Sequence, residues 1–110
     1  MTKDELRQYR SIQLEISQIE RRIKAMDCRT DDIGVTEALR ELYREKLKAL
    51  TECQINIEKA IESLTPTERE LMRLRYIDGA EWTEVAETIH YEWTQTHRIH
   101  ARALEKIKDL

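Results

Sequence analysis

Phenylalanine is absent from this chain, proline occurs once, and glycine and cysteine occur twice each. Each scarcity excludes something. Two separated glycines cannot build a glycine-rich phosphate loop or a Gly-x-Ser-x-Gly nucleophile elbow. So few turn-forming residues also argue against a many-stranded fold, and 110 residues that are 40% hydrophobic and 37% charged read as all-α. No apolar run approaches the roughly 20 residues of a membrane-spanning helix. No secretory signal is visible either, so the expected location is the cytoplasm. Cys28 and Cys53 lie far apart without a CxxC neighbour. In a reducing compartment they are expected as free thiols, Cys53 in a helix stripe and Cys28 in or near a loop. No internal repeat or low-complexity tract is present.

Enzyme chemistry has little to stand on. His97 and His100 are three residues apart, but a zinc site needs three or four ligands and no cysteine or third ligand is nearby. Carboxylates are numerous, yet nothing in their pattern pairs them in a cleft. The expectation is a protein without catalytic residues, metal or cofactor.

The N-terminal half has the pattern of a long helical hairpin. Thr2 and Glu5 form a capping box, after which Tyr9, Ile12, Ile16, Ile19, Ile23 and Met26 recur at alternating spacings of three and four. The pattern lapses from Asp27 to Val35, which reads as a loop. Thr36 then caps a second helix with Leu39, Tyr43, Leu50, Cys53, Ile57, Ala60 and Leu64 on one stripe, widened by Leu42, Leu47 and Ile61. Two helices of this kind cover only part of their apolar surface. Residues 1–62 are therefore expected to be a coiled-coil-like segment that self-associates, giving a homodimer. The alternative is a monomer whose hairpin folds back on the C-terminal half.

Residues 63–110 carry a different signal. Thr65-Pro66-Thr67-Glu68 starts a helix, since Thr65 can cap, Pro66 needs no donor and Glu68 reaches back. Leu71, Leu74 and Ile77 follow at helical spacing, and Asp78-Gly79 stops the run. Val85, Ala86 and Ile89 make a second, short apolar face, the small Ala86 allowing close helix approach. A third segment from about Trp93 to Ile107 turns Thr96, Ile99, Ala103 and Ile107 inward and leaves Trp93, Thr94, His97, Arg98, Ala101 and Arg102 outward. By the same spacing, His100 falls towards the core or its rim. A helix with such an outward row can enter the DNA major groove.

Leu64-Thr65-Pro66 with Glu68, then Leu71, Arg73, Arg75, Tyr76, Asp78 and Gly79, Val85-Ala86-Glu87 with Ile89, and Arg102-Ala103-Leu104 with Lys106-Ile107 resemble the DNA-binding fourth region of bacterial sigma factors. The likeness runs from Ser63 to Leu110. Arg98-Ile99-His100 ahead of Arg102-Ala103-Leu104 is similar to the ArpU-like and RinA-like regulators of phage and prophage late genes. The resemblance implies a helix-turn-helix in which Trp93, Thr94, His97 and Arg98 meet bases or nearby phosphates and Arg102 sits nearer the backbone. Lys106 completes the candidate DNA-binding set. It also implies RNA polymerase as a partner. Glu81 and Glu92 depart from that pattern, standing where the family places Ser or Thr caps, and Trp93 is bulkier than usual there.

Charge is split within this half. With 22 acidic and 19 basic residues the chain is no basic coat for nucleic acid. From Asp78 to Glu92 there are five acidic and no basic residues, whereas from Trp93 to Lys108 Arg98, Arg102, Lys106 and Lys108 face only Glu105. Taken alone, those cations read more readily as the solvated face of a surface helix. Three functions follow from different classes. The first is a sequence-specific DNA-binding transcriptional regulator, of phage late or packaging genes. The second is an adaptor that binds RNA polymerase or a sigma factor through its acidic helix. The third is the DNA-recognition subunit of a phage packaging machine, against which the C-terminal position of the reader argues.

Overall fold

The structure, a computed structural model, describes residues 1–26 and 33–110. Most of the expected loop, together with Cys28, lies outside the described residues. Among the described residues all regular structure is helical: α1 (Lys3–Arg7), α2 (Tyr9–Met26), α3 (Ile33–Glu62), α4 (Pro66–Met72) running into a π-helical turn (Arg73–Ile77), α5 (Trp82–Ile89) and α6 (Trp93–Ile107). The all-α class and the hairpin followed by a helix-turn-helix are both present.

The N-terminal helix starts as its capping box dictates, with the Glu5 N–H donating to Thr2 Oγ1 and the Thr2 N–H donating to the Glu5 carboxylate, both at 3.3 Å. At Gln8 the winding tightens, the Gln8 N–H reaching back only to the Glu5 carbonyl at 3.2 Å, which separates α1 from α2. Along α2 the expected stripe holds: Tyr9, Ile12, Ile19 and Met26 are buried, Ile16 and Ile23 half-buried. The Tyr9 hydroxyl donates to Glu58 at 2.7 Å and accepts from Gln54 at 3.2 Å, pinning α2 across α3.

On α3 two expectations need correction. The helix begins at Ile33, so Thr36 lies inside it instead of capping it, and residues 33–35 belong to helix. A single Gly34 costs about 1 kcal/mol relative to alanine, too little to stop a helix of this length. Leu39, Leu42 and Cys53, expected on the apolar stripe, are exposed. The reason is geometric: a two-helix layer covers a narrow seam, and side chains at its flanks remain in solvent. Burial is concentrated instead where α3 enters the C-terminal half, at Ile57, Ala60 and Ile61.

There the two halves share one core. Leu6, Tyr9 and Ile12 belong to the same buried cluster as Ile57, Ile61, Leu64, Leu71, Met72, Tyr76, Val85, Ile89, Ile99, Ala103 and Ile107. The base of the hairpin thus packs as part of the helix-turn-helix. The Met1 ammonium reinforces this by donating to the carbonyls of Ile107 at 3.0 Å and Leu110 at 2.7 Å, a cation at the C-terminal end of α6 where the helix dipole favours one.

Glu68 reaches back to the Thr65 N–H at 3.2 Å and hydroxyl at 2.6 Å, as the Thr-Pro-Thr-Glu start predicts. It is itself buried and takes Lys106 Nζ from α6 at 2.7 Å. Burial alone would raise its pKa; the hydrogen bonds from Lys106 and Thr65 and the Lys106 charge outweigh that and lower it. The ion pair therefore ties α4 to α6.

After Met72 the helix widens. The Asp78 N–H bonds to Arg73 O and the Ala80 N–H to Leu74 O, both at 2.9 Å, each reaching one residue further than an α-helical ending would. Gly79, at φ +72°, closes the turn in the left-handed region, as its place after the helix predicts. This widening explains a further difference from the sequence pattern: Leu71, Met72 and Tyr76 are the buried positions, while Leu74 and Ile77 are half-buried at the edge of the core. Leu71→Ala or Ile99→Ala removes a core side chain 0% or 5% exposed and should cost roughly 2–5 kcal/mol in chemical denaturation. An unchanged unfolding midpoint would contradict this packing.

Candidate DNA-binding surface

Short polar segments set α5 and α6 against each other. Glu81 and Glu92 occupy the N-cap positions in extended conformation, and neither side chain makes a cap hydrogen bond, so their contribution is to the helix dipole alone. Between the helices His90 adopts the left-handed conformation, φ 62° and ψ 41°, with its N–H and that of Tyr91 closing back on the end of α5. The sequence pattern did not single out this residue, because glycine is the usual signal for such a turn.

Val85, Ala86 and Ile89 of α5 meet Thr96, Ile99, His100, Ala103 and Ile107 of α6 in the interior. This matches the spacing. The outer face of α6 presents Trp93, Thr94, Arg98, Ala101 and Arg102 to solvent. Neither Arg98 nor Arg102 is in an ion pair among the described residues, so both guanidinium groups are available on that face. Lys106, the last of the candidate set, is exposed, and its ammonium is held by Glu68 at 2.7 Å.

His97 also departs from the outward row. Its ring lies between two indoles, with centroids 4.4 Å from Trp82 and 4.5 Å from Trp93. Its Nε2 is buried and has no hydrogen-bond partner among the described residues. Trp93 is 52% exposed while covering His97, so it serves the outer surface and the packing beneath it at once. Trp82 is assigned no role by the sequence pattern. It contacts both His97 and His100 and carries the Arg75 guanidinium 4.8 Å from its ring centroid, while Arg75 Nη1 donates to Ala80 O at 3.0 Å. A tryptophan at the first position of a helix gave no periodic signal.

Behind this stack, the Tyr76 hydroxyl and His100 Nε2 are 2.6 Å apart in the interior. Burial lowers the His100 pKa to about 4, with the charges of Lys3, His97, Arg75 and Arg7 acting in the same direction. Burial raises that of Tyr76 against the opposing pull of Arg7 and Arg75. At neutral pH the imidazole is therefore neutral and the phenol protonated, so the phenol donates and the ring proton sits on Nδ1.

The pH dependence follows in sign. The folded pKa lies below the unfolded value near 6.5, so the unfolded chain binds the proton first and stability falls as pH drops from about 6.5 to about 4. Relative to His100→Phe, the native protein should lose up to about 3 kcal/mol over that window. Denaturation midpoints of the two proteins across the window check it, and parallel curves would contradict it.

The geometry is that of a compact helix-turn-helix with an exposed, cationic third helix. Comparison with curated proteins and with solved structures finds no match. Among protein families, Sigma-70, region 4, matches residues 60–109, from the last turn of α3 to just past α6. Over those residues the chain is similar to the sigma region 4 helix-turn-helix.

Proposed function

We propose that the protein is a sequence-specific DNA-binding transcriptional regulator that lays α6 in the major groove, and that its targets are late or packaging genes of a phage or prophage. The observation that carries the DNA reading is the pair Arg98 and Arg102, exposed and without an ion pair among the described residues, on the outer face of α6 in a domain similar to Sigma-70, region 4. The similarity of Arg98-Ile99-His100 and Arg102-Ala103-Leu104 to late-gene regulators supports the target class.

Position along α6 divides the work. Arg98 lies near enough to the N-terminal end to reach base edges, and Arg102, one turn later, suits phosphate. Arg98→Ala should cost roughly 1–3 kcal/mol on the preferred site and relax the choice of one base, with less effect on scrambled DNA. Arg102→Ala should weaken both duplexes alike and reduce the salt slope by about one. Binding isotherms on duplexes chosen by selection from a random pool, at several salt concentrations, measure both. Intact folding with unchanged affinity in both variants would remove the DNA reading. An adaptor that contacts RNA polymerase would then be favoured by the exposed carboxylates of Glu81, Glu84 and Glu87 along α5.

Residues 1–62 are proposed as the self-association segment and residues 63–110 as the reader. Ile12 and Ile19, part of the stripe that motivates association, are covered within the chain, so among the described residues the large apolar side chains left for a second copy are Leu14, Leu39, Leu42 and Ile55. The shared core makes the full-length chain the right sample. Leu14→Glu and Leu42→Glu should each shift a sedimenting dimer to monomer without altering the melt. A dimer unaffected by both would place the interface elsewhere.

A further inference from the structure

Lys3, Arg7 and Arg10 follow one another at spacings of four and three, and α1 and the start of α2 carry them against the turn between α4 and α5. With Arg75, Tyr76, Gly79 and Trp82 they line a cavity of about 220 Å³. Its lining holds four cations and, among the described residues, no carboxylate. Arg7 is also 3.7 Å from the carboxylate of Asp4, which is highly exposed. One water occupies roughly 30 Å³, so the space admits a tetrahedral anion together with part of its hydration.

The wall is organised in advance. Arg75 is fixed by its bond to Ala80 O and by the face of Trp82. Arg10 lies so close over Gly79 that a Cβ at that position would overlap its guanidinium. Convergent guanidinium groups are matched to phosphate, whose oxygens accept their paired N–H donors. Trp82 links the cavity to the proposed reading face, since its ring meets His97 at 4.4 Å and His97 meets Trp93 at 4.5 Å. The same cations, Lys3, Arg75 and Arg7, add to burial in disfavouring a proton on the neighbouring His100.

We propose that this cavity holds one backbone phosphate of duplex DNA, so that the footprint extends beyond the helix-turn-helix to the N-terminal helices. The inference rests on the DNA-binding reading above. It concerns residues that lie outside the Sigma-70, region 4, match, apart from Arg75, Tyr76, Gly79 and Trp82.

The test uses the full-length protein, a fluorescent mixed-sequence duplex and a series of salt concentrations. The Arg7→Gln/Arg10→Gln double variant should reduce the salt slope by about one and weaken binding, with an unchanged melt. Arg10→Lys, which keeps the charge over Gly79, should retain most of the slope. A double variant with the native slope, alongside an Arg98→Ala protein that has lost affinity, would overturn the phosphate site and leave the DNA reading standing. If the native protein binds no duplex, the DNA reading itself fails, and a titration with pyrophosphate followed at the Gly79 amide and the Trp82 indole N–H judges the cavity separately. Shifts there that the double variant abolishes would make it a site for a small free anion and overturn the DNA assignment; no shifts would overturn the anion site altogether.

Discussion

Burial of Leu6, Tyr9 and Ile12 in one cluster with Ile61, Met72 and Tyr76 is the interaction on which the remaining structure depends. A helix-turn-helix the size of residues 63–110 encloses little apolar surface of its own and is marginal on that account. Here the missing layer comes from the first turns of the chain and the end of α3. The N-terminal segment is consequently part of the stability of the helix-turn-helix. It also brings Lys3, Arg7 and Arg10 to a place that the helix-turn-helix alone would leave bare.

Within that core the polar groups orient α6 more specifically than apolar contact does. Lys106 on Glu68 ties the late part of the helix to α4, and His100 on Tyr76 ties its middle to the π-helical turn. A buried carboxylate or imidazole without its partner is costly, so slippage of α6 along its axis by a turn would be penalised at both points. Apolar residues such as Ile99 and Ala103 tolerate such slippage better. The two polar pairs thus set where Arg98 and Arg102 stand relative to the rest of the surface.

Much of this was legible in advance. Helical period, the Thr-Pro-Thr-Glu start, the Asp-Gly stop and the resemblance of residues 63–110 to sigma region 4 placed α4, α5 and α6, and Thr96, Ile99, Ala103 and Ile107 are buried as their spacing implies. Three kinds of feature escaped. The π-helical turn shifts the inward face from Leu74 and Ile77 to Met72 and Tyr76, and no local propensity announces it. The stacking of His97 between Trp82 and Trp93 needs residues from two helices, which a single-helix projection cannot join. The ion pair of Lys106 depends on a carboxylate 38 residues away, so spacing along α6 placed the lysine with the outward cations. Conversely, the sequence pattern starts α3 too late, because Gly34 reads as a stronger breaker than its propensity makes it.

The continuity of α3 has a mechanical meaning. It runs unbroken for 30 residues, about 45 Å, and its last turns are embedded in the same core as α6. With no break in α3 between Ile33 and that core, the arm acts as a stiff lever whose heading is fixed relative to the exposed outer face of α6. Two copies joined through such arms would hold their reading helices at a set distance and angle. With α6 in the major groove as proposed, the spacing between two half-sites would then be written into the length and direction of α3.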